Sequence, residues 1–344
     1  MSRVEPVAID LYAGCGGMSE GLRQAGFRVV AAVEIDPRAA RTYRLNHPTT
    51  HLLQQDIRTV SPEVLRRLLG GSELHLLAAC PPCQGFSSIR RLNRPRPVDD
   101  ARNGLILEFL RLVEALRPLT FMLENVPGLA DYELFHVVLE RLQAIGYYTD
   151  RDVLDVSDYE VPQRRKRLVV VGSLRPGLTV FRAKFPRKTV RDCIGSLESV
   201  DVTSDPLHKI FPRHGPRVQQ RIALTPKDGG SRTDLPPEYQ LECHKRPRVG
   251  FKDVYGRLRW DDVASTITGG CLNPSKGRFL HPEENRNITA REAALLQTFP
   301  RDYKFPTDLP RAVIASQIGN ALPPRFCYHQ ARHILAHLGF TTTS

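Results

Sequence analysis

The sequence predicts an α/β protein in which a mostly parallel sheet is joined to a smaller, irregular domain. Short apolar runs rich in Val, Ile and Leu alternate with helical stretches over residues 7–172. This alternation is typical of a parallel sheet with helices on both faces. From residue 176 to about residue 287 the chain is rich in Pro, Gly, Lys and Arg and lacks a sustained helical period. That change of character indicates a second module.

The elements follow one another in a regular order. The predicted strands are residues 7–13, 29–35, 74–80, 120–126 and 168–172, with a poorly patterned strand before Asp56. The predicted helices are residues 19–25, 37–46, 61–69, 105–116, 133–145, 289–297 and 324–338. Within 105–113 the apolar residues recur at three- and four-residue steps, as one buried helix face requires. Thr289 and Glu292 form a capping-box pattern at the start of a late helix.

These elements divide the chain into three predicted parts. Residues 1–175 form the large α/β domain, residues 176–287 form the irregular basic domain, and residues 288–344 return to the large domain. A structureless loop of more than 100 residues would be unusual in a compact protein, so the middle segment is expected to fold.

The composition and charge of the chain restrict the classes of protein to which it can belong. The 344 residues are 41% hydrophobic and carry a net charge of +12, an excess that suits a polyanionic partner. No apolar stretch is long enough for a membrane helix, and residues 1–6 do not resemble a signal peptide, so we expect a cytoplasmic protein. The seven cysteines are scattered and odd in number, which argues against a disulfide framework. Cys80 and Cys83 have CxxC spacing without a second zinc-type pair, so no metal is expected and a redox pair is an alternative.

The sequence PPCQ at 81–84 is the most informative motif. It follows the apolar run 74–80, so Cys83 is expected at the carboxyl edge of a parallel sheet, where ligands bind. Several arginines follow it, including Arg90, and nearby positive charge favours a thiolate. By itself the motif is also compatible with a small buried cysteine in a turn.

A glycine-rich turn joins the first predicted strand to the first helix. Gly14, Gly16 and Gly17 allow the backbone to turn sharply, and the helix that follows offers free N–H groups to a ligand. About twenty residues on, Glu34 ends the second strand, where an acidic residue binds ribose hydroxyls in nucleoside-binding α/β folds. Asp56 and Ile57 end the next strand and give a weaker signal of the same kind.

Taken in order, these motifs resemble the DNA (cytosine-5)-methyltransferases, which use S-adenosyl-L-methionine. The matching segments are DLYAGCGG at 10–17, Glu34, Asp56 with Ile57, PPCQGFS at 81–87, ENV at 124–126, VPQRRKR at 161–167, REAALLQ at 291–297 and QIGNALP at 317–323. The resemblance covers nearly the whole chain and leaves its gap in the basic segment. Two departures are Tyr12, where the family more often has Phe, and Cys80, where Gly is usual. The resemblance makes Cys80 a packed neighbour of Cys83 rather than its redox partner.

The resemblance implies a mechanism. Cys83 would add to C6 of a flipped-out cytosine and so activate C5, which is covalent catalysis. Glu124 would act as an acid at N3, which requires its pKa to be raised by burial. Arg165 would contact the cytosine O2 and Glu124, and Arg167 would order the catalytic loop. Residues 1–175 would then be the catalytic and cofactor-binding domain, and residues 176–287 the target-recognition domain.

The resemblance also implies the remaining site residues. Those expected to bind the cofactor are Asp10, Tyr12, Ala13, Gly14, Gly16, Gly17, Glu34, Ile35, Asp56, Ile57, Pro82 and Asn320. Those expected to contact DNA are Gln84, Ser87, Arg90, Thr266 and Ile267.

The expected partner is double-stranded DNA, and the chain is expected to be a monomer. The compact chain fits a bacterial enzyme that is either the modification partner of a restriction endonuclease or a solitary modification enzyme. Three alternatives remain: a tRNA cytosine-5 methyltransferase of the same fold, a non-catalytic DNA reader and a CxxC oxidoreductase. The tRNA enzymes generally carry a Cys-Phe-Thr tripeptide that this sequence lacks.

Overall fold

The computed structural model describes residues 5–82, 104–242 and 253–340, and its chain forms two compact units. Unit 1 comprises residues 1–159, 166–184 and 322–344, and unit 2 comprises residues 160–165 and 185–321. The C-terminal segment predicted as 288–344 is therefore divided between the units at residue 321. Within the described ranges, no helix is long and apolar enough to cross a membrane.

Unit 1 is built on a seven-stranded, mostly parallel sheet, which confirms the predicted fold class. Its strands are β1 (Val7–Leu11), β2 (Arg28–Val33), β3 (His51–Leu53), β4 (Leu76–Ala79), β5 (Thr120–Asn125), β6 (Tyr148–Asp155) and β7 (Lys166–Ser173). They lie in the order β3-β2-β1-β4-β5-β7-β6. Strands β1 to β5 pair in parallel, whereas β7 runs antiparallel to both β5 and β6.

Helices cover the sheet of unit 1 and form short pieces in unit 2. Those of unit 1 are α1 (Gly17–Ala25), α2 (Pro37–Asn46), α3 (Pro62–Leu69), α4 (Leu105–Leu116), α5 (Glu133–Ala144) and α10 (Pro324–His337). Those of unit 2 are α6 (Val190–Ile194), α7 (Pro216–Leu224), α8 (Ala290–Leu296) and α9 (Arg311–Asn320).

The main apolar core of unit 1 lies on one face of the sheet. Alternate residues of neighbouring strands, such as Leu11, Ala79 and Leu123, pack there against Phe109 of α4 and Phe135 of α5. Because side chains alternate along a strand, the residues between them face the other side of the sheet. Those residues include the polar groups considered below.

Unit 2 has little regular structure and is held together by buried polar groups. The guanidinium of Arg257 is fully buried and donates hydrogen bonds to backbone carbonyls of Thr225, Ile222, His281 and Glu284 and to Oδ1 of Asn285. Burial lowers the pKa of Arg257, and these five acceptors occupy its five N–H groups. This side chain therefore joins three segments that have no sheet to connect them.

Candidate active site

The glycine-rich turn has the sharp backbone that its sequence predicts. Gly14 and Gly16 have φ values of 56° and 99°, and Gly16 forms the N-cap of α1. A Cβ placed on Gly14 would meet nothing within 4 Å, so its requirement for glycine is conformational. Tyr12 also has a positive φ, of 61°, a strained conformation that its sequence did not indicate. The Tyr12 hydroxyl donates a hydrogen bond to the backbone carbonyl of Leu105, at 2.6 Å.

Glu34 ties this turn to the end of β2. Its carboxylate accepts hydrogen bonds from the backbone N–H groups of Gly14, at 2.8 Å, and Asp36, at 2.6 Å. Burial raises the pKa of Glu34, although the two backbone donors oppose the shift. The next residue, Ile35, is 61% exposed. The structure thus brings together a glycine turn, an acidic side chain and an exposed apolar side chain at the end of β2.

A buried polar group lies beneath the turn. Asp10 is fully buried and accepts a 2.6 Å hydrogen bond from the Ser19 hydroxyl, which also lies 2.7 Å from the Tyr43 hydroxyl. Among the described residues, Oδ1 of Asp10 has no hydrogen-bond partner. Burial raises the pKa of Asp10 to about 7. Ser19 and Tyr43 were not predicted, because the pattern of α1 and α2 does not show which polar side chains face the strand.

The other expected cofactor residues are distributed along the same part of unit 1. Ala13 is buried after β1 and Pro82 is partly buried after β4. Asp56 caps the short turn that contains Ile57 and pairs with Arg58, whose hydrogen bonds lower the pKa of Asp56. The Asp56 carboxylate is therefore oriented by Arg58.

Four polar side chains lie on neighbouring strands at one edge of the sheet, on the face opposite the apolar core. They are Asp10 of β1, Cys80 immediately after β4, Glu124 of β5 and Arg167 of β7. Since β1, β4, β5 and β7 are adjacent, the residues form a row. We call Asp10, Cys80, Glu124 and Arg167 the polar row.

Glu124 is the best-defined acid of this row. Glu124 is 8% exposed, and its Oε1 forms an ion pair with Nε of Arg167 at a distance of 2.7 Å. The next side chain, Asn125, donates to the backbone carbonyl of Pro81 at 3.0 Å and so holds the segment before Cys83. The family resemblance implies that Arg165 contacts Glu124 and that Arg167 orders the catalytic loop. In the structure, Arg167 itself contacts Glu124.

Arg165 belongs to unit 2, where its side chain is buried. Its Nη1 donates to the backbone carbonyls of Ile267, at 3.1 Å, and Gly319, at 2.8 Å. Arg165 immediately precedes β7, which begins at Lys166, two residues before the start of the predicted strand 168–172. A Cβ on Gly319 would approach the backbone of Thr268 within 2.0 Å, so only glycine permits this close packing.

A buried amide pair positions the expected DNA-contacting residues Thr266 and Ile267. Gln163 accepts from the N–H of Ile267 at 3.0 Å and donates to Oε1 of Gln297 at 2.6 Å. The Thr266 hydroxyl donates to the carbonyl of Arg164 at 2.7 Å. Gln163, Ile267 and Gln297 therefore meet inside unit 2. Gln163 and Gln297 each lie in one of the sequence motifs, but the sequence does not predict the contact between them.

Several predicted residues are not tested by these contacts. Cys83, Gln84, Ser87 and Arg90 lie outside the described residues. Asn320 is exposed at the end of α9 in unit 2, where its amide donates to the Ser316 hydroxyl at 3.1 Å. In the described part of the chain, no cluster of three or more His, Cys, Asp or Glu side chains is arranged to hold a metal ion.

Comparison with known proteins agrees with this arrangement. The family model of C-5 cytosine-specific DNA methylase matches residues 7–336. The chain is 34% identical to the Type II methylase M.HgiDII of Herpetosiphon aurantiacus, covering 92% of this chain and 91% of that protein. It is 33% identical to the Type II methyltransferase M1.HphI of Haemophilus parahaemolyticus, covering 95% and 86%.

A solved structure extends the likeness to three dimensions. It is a putative DNA modification methyltransferase encoded in a prophage of E. coli, with a TM-score of 0.74 and 26% identity, and the match covers 97% of this chain and 99% of that one. The S. pombe Dnmt2 methyltransferase shares the fold at a TM-score of 0.68 and 20% identity, with 97% and 99% covered. From the family match, its extent and the two bacterial relatives, the chain belongs to the C-5 cytosine-specific DNA methylase family and is a DNA cytosine-5-methyltransferase.

Proposed function

We propose that this enzyme transfers a methyl group from S-adenosyl-L-methionine to C5 of one specific cytosine in double-stranded DNA. The observation that supports it most directly is the buried Glu124–Arg167 pair, which lies at the same sheet edge as the glycine turn and Glu34. An acid and a nucleoside site on one edge are what a methyl transfer to a base requires. The basic net charge of +12 suits the DNA partner.

Unit 1 has features that fit the cofactor. The backbone of Tyr12, Ala13, Gly14, Gly16 and Gly17 would enclose the amino-acid portion, with Asp10 beneath it. Glu34 would accept from ribose hydroxyls, while exposed Ile35 would pack on the adenine together with Asp56 and Ile57. Pro82 would complete the part of the site that lies in unit 1. When bound, S-adenosyl-L-methionine supplies an electrophilic methyl group on a sulfonium sulfur.

The protein's own residues would make cytosine reactive. C5 of cytosine is a poor nucleophile, and addition of the Cys83 thiolate to C6 gives it enamine character. Glu124 would donate a proton to N3 and so neutralise the negative charge that the addition of Cys83 places on the ring. Methyl transfer would release S-adenosyl-L-homocysteine. Loss of the C5 proton to solvent, return of the N3 proton to Glu124 and elimination of Cys83 would then restore the ring and the free thiolate.

Residues of the catalytic loop and of unit 2 are proposed to contact DNA. In unit 2, Arg165 would hold the cytosine O2, and Thr266 and Ile267 would lie beside the flipped base; Gln163 and Arg164 already fix these two residues. Flipping is needed because C6 is inaccessible within the base stack. Gln84, Ser87 and Arg90 would contact the flanking DNA. The segment 176–287 would read the target sequence, and the enzyme would act as a monomer.

The relatives also suggest a context. Both are bacterial Type II enzymes by name, so we propose that this enzyme protects DNA as the counterpart of a restriction endonuclease. A solitary modification enzyme of the same kind would differ only in lacking that functional partner.

A covalent trap tests the proposed chemistry. In a duplex whose target cytosine is 5-fluorocytosine, fluorine replaces the C5 proton, so Cys83 cannot be eliminated after methyl transfer. We expect a stable protein–DNA complex on a denaturing gel that requires S-adenosyl-L-methionine. Cys83→Ser should form no such complex while still binding the cofactor. An equal yield of complex from Cys83→Ser would overturn the nucleophile assignment.

A further inference from the structure

The Cys80 side chain lies next to Glu124 in the polar row. Ala79 pairs with Leu123 in the parallel ladder between β4 and β5, so the residues that follow them, Cys80 and Glu124, are cross-strand neighbours. Ala79 and Leu123 both face the apolar core. Because side chains alternate, Cys80 and Glu124 therefore share the opposite face.

The backbone around Cys80 is held on both sides. The N–H of Cys80 donates to the carbonyl of Leu11 on β1 at 3.3 Å. The carbonyl of Pro81 accepts from Asn125, the residue after Glu124, at 3.0 Å. These two contacts fix the end of β4 against β1 and β5, so the direction of the Cys80 side chain is set by the sheet.

The Cys80 thiol is protonated and lies beside the Glu124 carboxylate on the same face of the sheet. Burial raises the pKa of Cys80 most, and the charge and hydrogen bond of Glu124 raise it further. A neutral S–H group can donate to a carboxylate, whereas a thiolate would repel it. Cys80 is thus suited to a supporting role and not to that of a nucleophile.

The other groups near this thiol have their own partners. Asp10 on β1 accepts from Ser19, and the Cys327 thiol on α10 donates to the carbonyl of Met18 at 3.4 Å. Arg167 contacts Glu124 from β7. Glu124, on the strand next to β4, acts on Cys80 through a hydrogen bond, whereas Asp10 acts on it only through its charge.

We propose that Cys80 is a positioning residue of this enzyme: its thiol donates a hydrogen bond to the Glu124 carboxylate and, opposite Arg167, fixes the orientation of that group. The inference rests on the proposed role of Glu124 as the acid at N3. Sulfur is a weak donor, so the contact adjusts the geometry of Glu124 and is not itself a chemical step. Cysteine at this position, where the family usually has glycine, would then serve the reaction rather than packing alone.

Steady-state methyl transfer by Cys80→Ala and Cys80→Ser tests the proposal. We expect Cys80→Ala to lower kcat by about fivefold with little change in the KM for the cofactor, the effect of one weak hydrogen bond. Cys80→Ser keeps a donor and should recover most of that loss. Cys193→Ala, which removes a partly buried thiol in unit 2, is the matched control and should retain wild-type kcat.

A double-mutant cycle separates positioning from general destabilisation. If Cys80 acts through Glu124, Cys80→Ala should have almost no further effect in a Glu124→Gln background. The proposal is overturned if Cys80→Ala matches wild type, if Cys80→Ser loses as much activity as Cys80→Ala, or if the two losses multiply in the double variant. Absence of methyl transfer by the wild-type enzyme would instead contradict the proposed function.

Discussion

The carboxylate of Glu124 accepts a 2.7 Å contact from Nε of Arg167, and both side chains are largely buried. Each strand supplies one partner: Glu124 lies near the end of β5, and Arg167 lies at the start of antiparallel β7. Antiparallel β7 therefore brings an arginine to the edge where the parallel strands end. This pair sets the orientation of the acid that the proposed chemistry needs.

The first prediction concerns that acid. Glu124→Gln should slow methyl transfer on the order of 10²-fold or more, because glutamine cannot donate a proton to N3. Cofactor affinity should change little, since Glu124 does not contact the glycine turn. The measurement is single-turnover transfer of labelled methyl groups to DNA. Glu114→Gln, which breaks a more exposed pair with Arg141, is the control; an equal loss in both variants would argue against a specific role for Glu124.

The glycine turn gives a second prediction with a closely matched control. Gly14→Ala should weaken cofactor binding about tenfold, because a Cβ is strained at φ 56° and the turn would shift. Gly177 also has a positive φ and open space around it but lies outside the site. Gly177→Ala should therefore cost similar stability and leave affinity unchanged. Titration calorimetry with S-adenosyl-L-methionine checks both, and equal affinities in the two variants would refute the assignment of this turn.

Asp10 gives a prediction about pH. Its folded pKa of about 7 is above the ordinary value of 3.8, so folded protein holds a proton that unfolded protein releases. The contribution of Asp10 to stability is complete below pH 4 and is lost as pH rises to about 7, with an upper limit on the order of 4 kcal/mol. Asp10→Asn should flatten the fall in unfolding free energy over that range in urea titrations. Asp192→Asn, whose carboxylate has a lowered pKa, should not flatten it.

Unit 2 should depend strongly on Arg257. Arg257→Lys keeps the charge but cannot fill five acceptors, so we expect a loss of about 3 kcal/mol or more in unfolding free energy. Exposed Arg259, two residues on, is the control, and Arg259→Ala should change stability by less than about 0.5 kcal/mol. Chemical denaturation of both variants gives the comparison. A stable Arg257→Lys protein would show that the buried guanidinium is dispensable.

Much of unit 1 could be predicted from the sequence because its strands are buried and apolar. The runs that became β1, β2, β4 and β5 are mostly apolar, and few polar residues, such as Asp10 and Glu124, interrupt them. Strand β6 was not predicted. It lies at the edge of the sheet and carries charged residues such as Asp150, Arg151 and Asp152, so its apolar pattern is weak.

The site was predicted unevenly, for a physical reason. Sequence motifs indicate residues whose chemistry is distinctive, and the motifs propose Glu34 and Glu124 as site residues in that way. The Asp10–Ser19–Tyr43 network and the Gln163–Gln297 contact depend on packing between distant segments, which no local pattern encodes. The helices of unit 2 were also missed in part, because α6 and α7 are short and polar.

The substrate of the enzyme is tested by supplying labelled S-adenosyl-L-methionine with genomic DNA and, in parallel, with tRNA, and then mapping 5-methylcytosine at base resolution. We expect methyl groups at one cytosine of a single short motif in DNA and none in tRNA. Methyl transfer to tRNA alone, or to neither nucleic acid, would contradict this expectation.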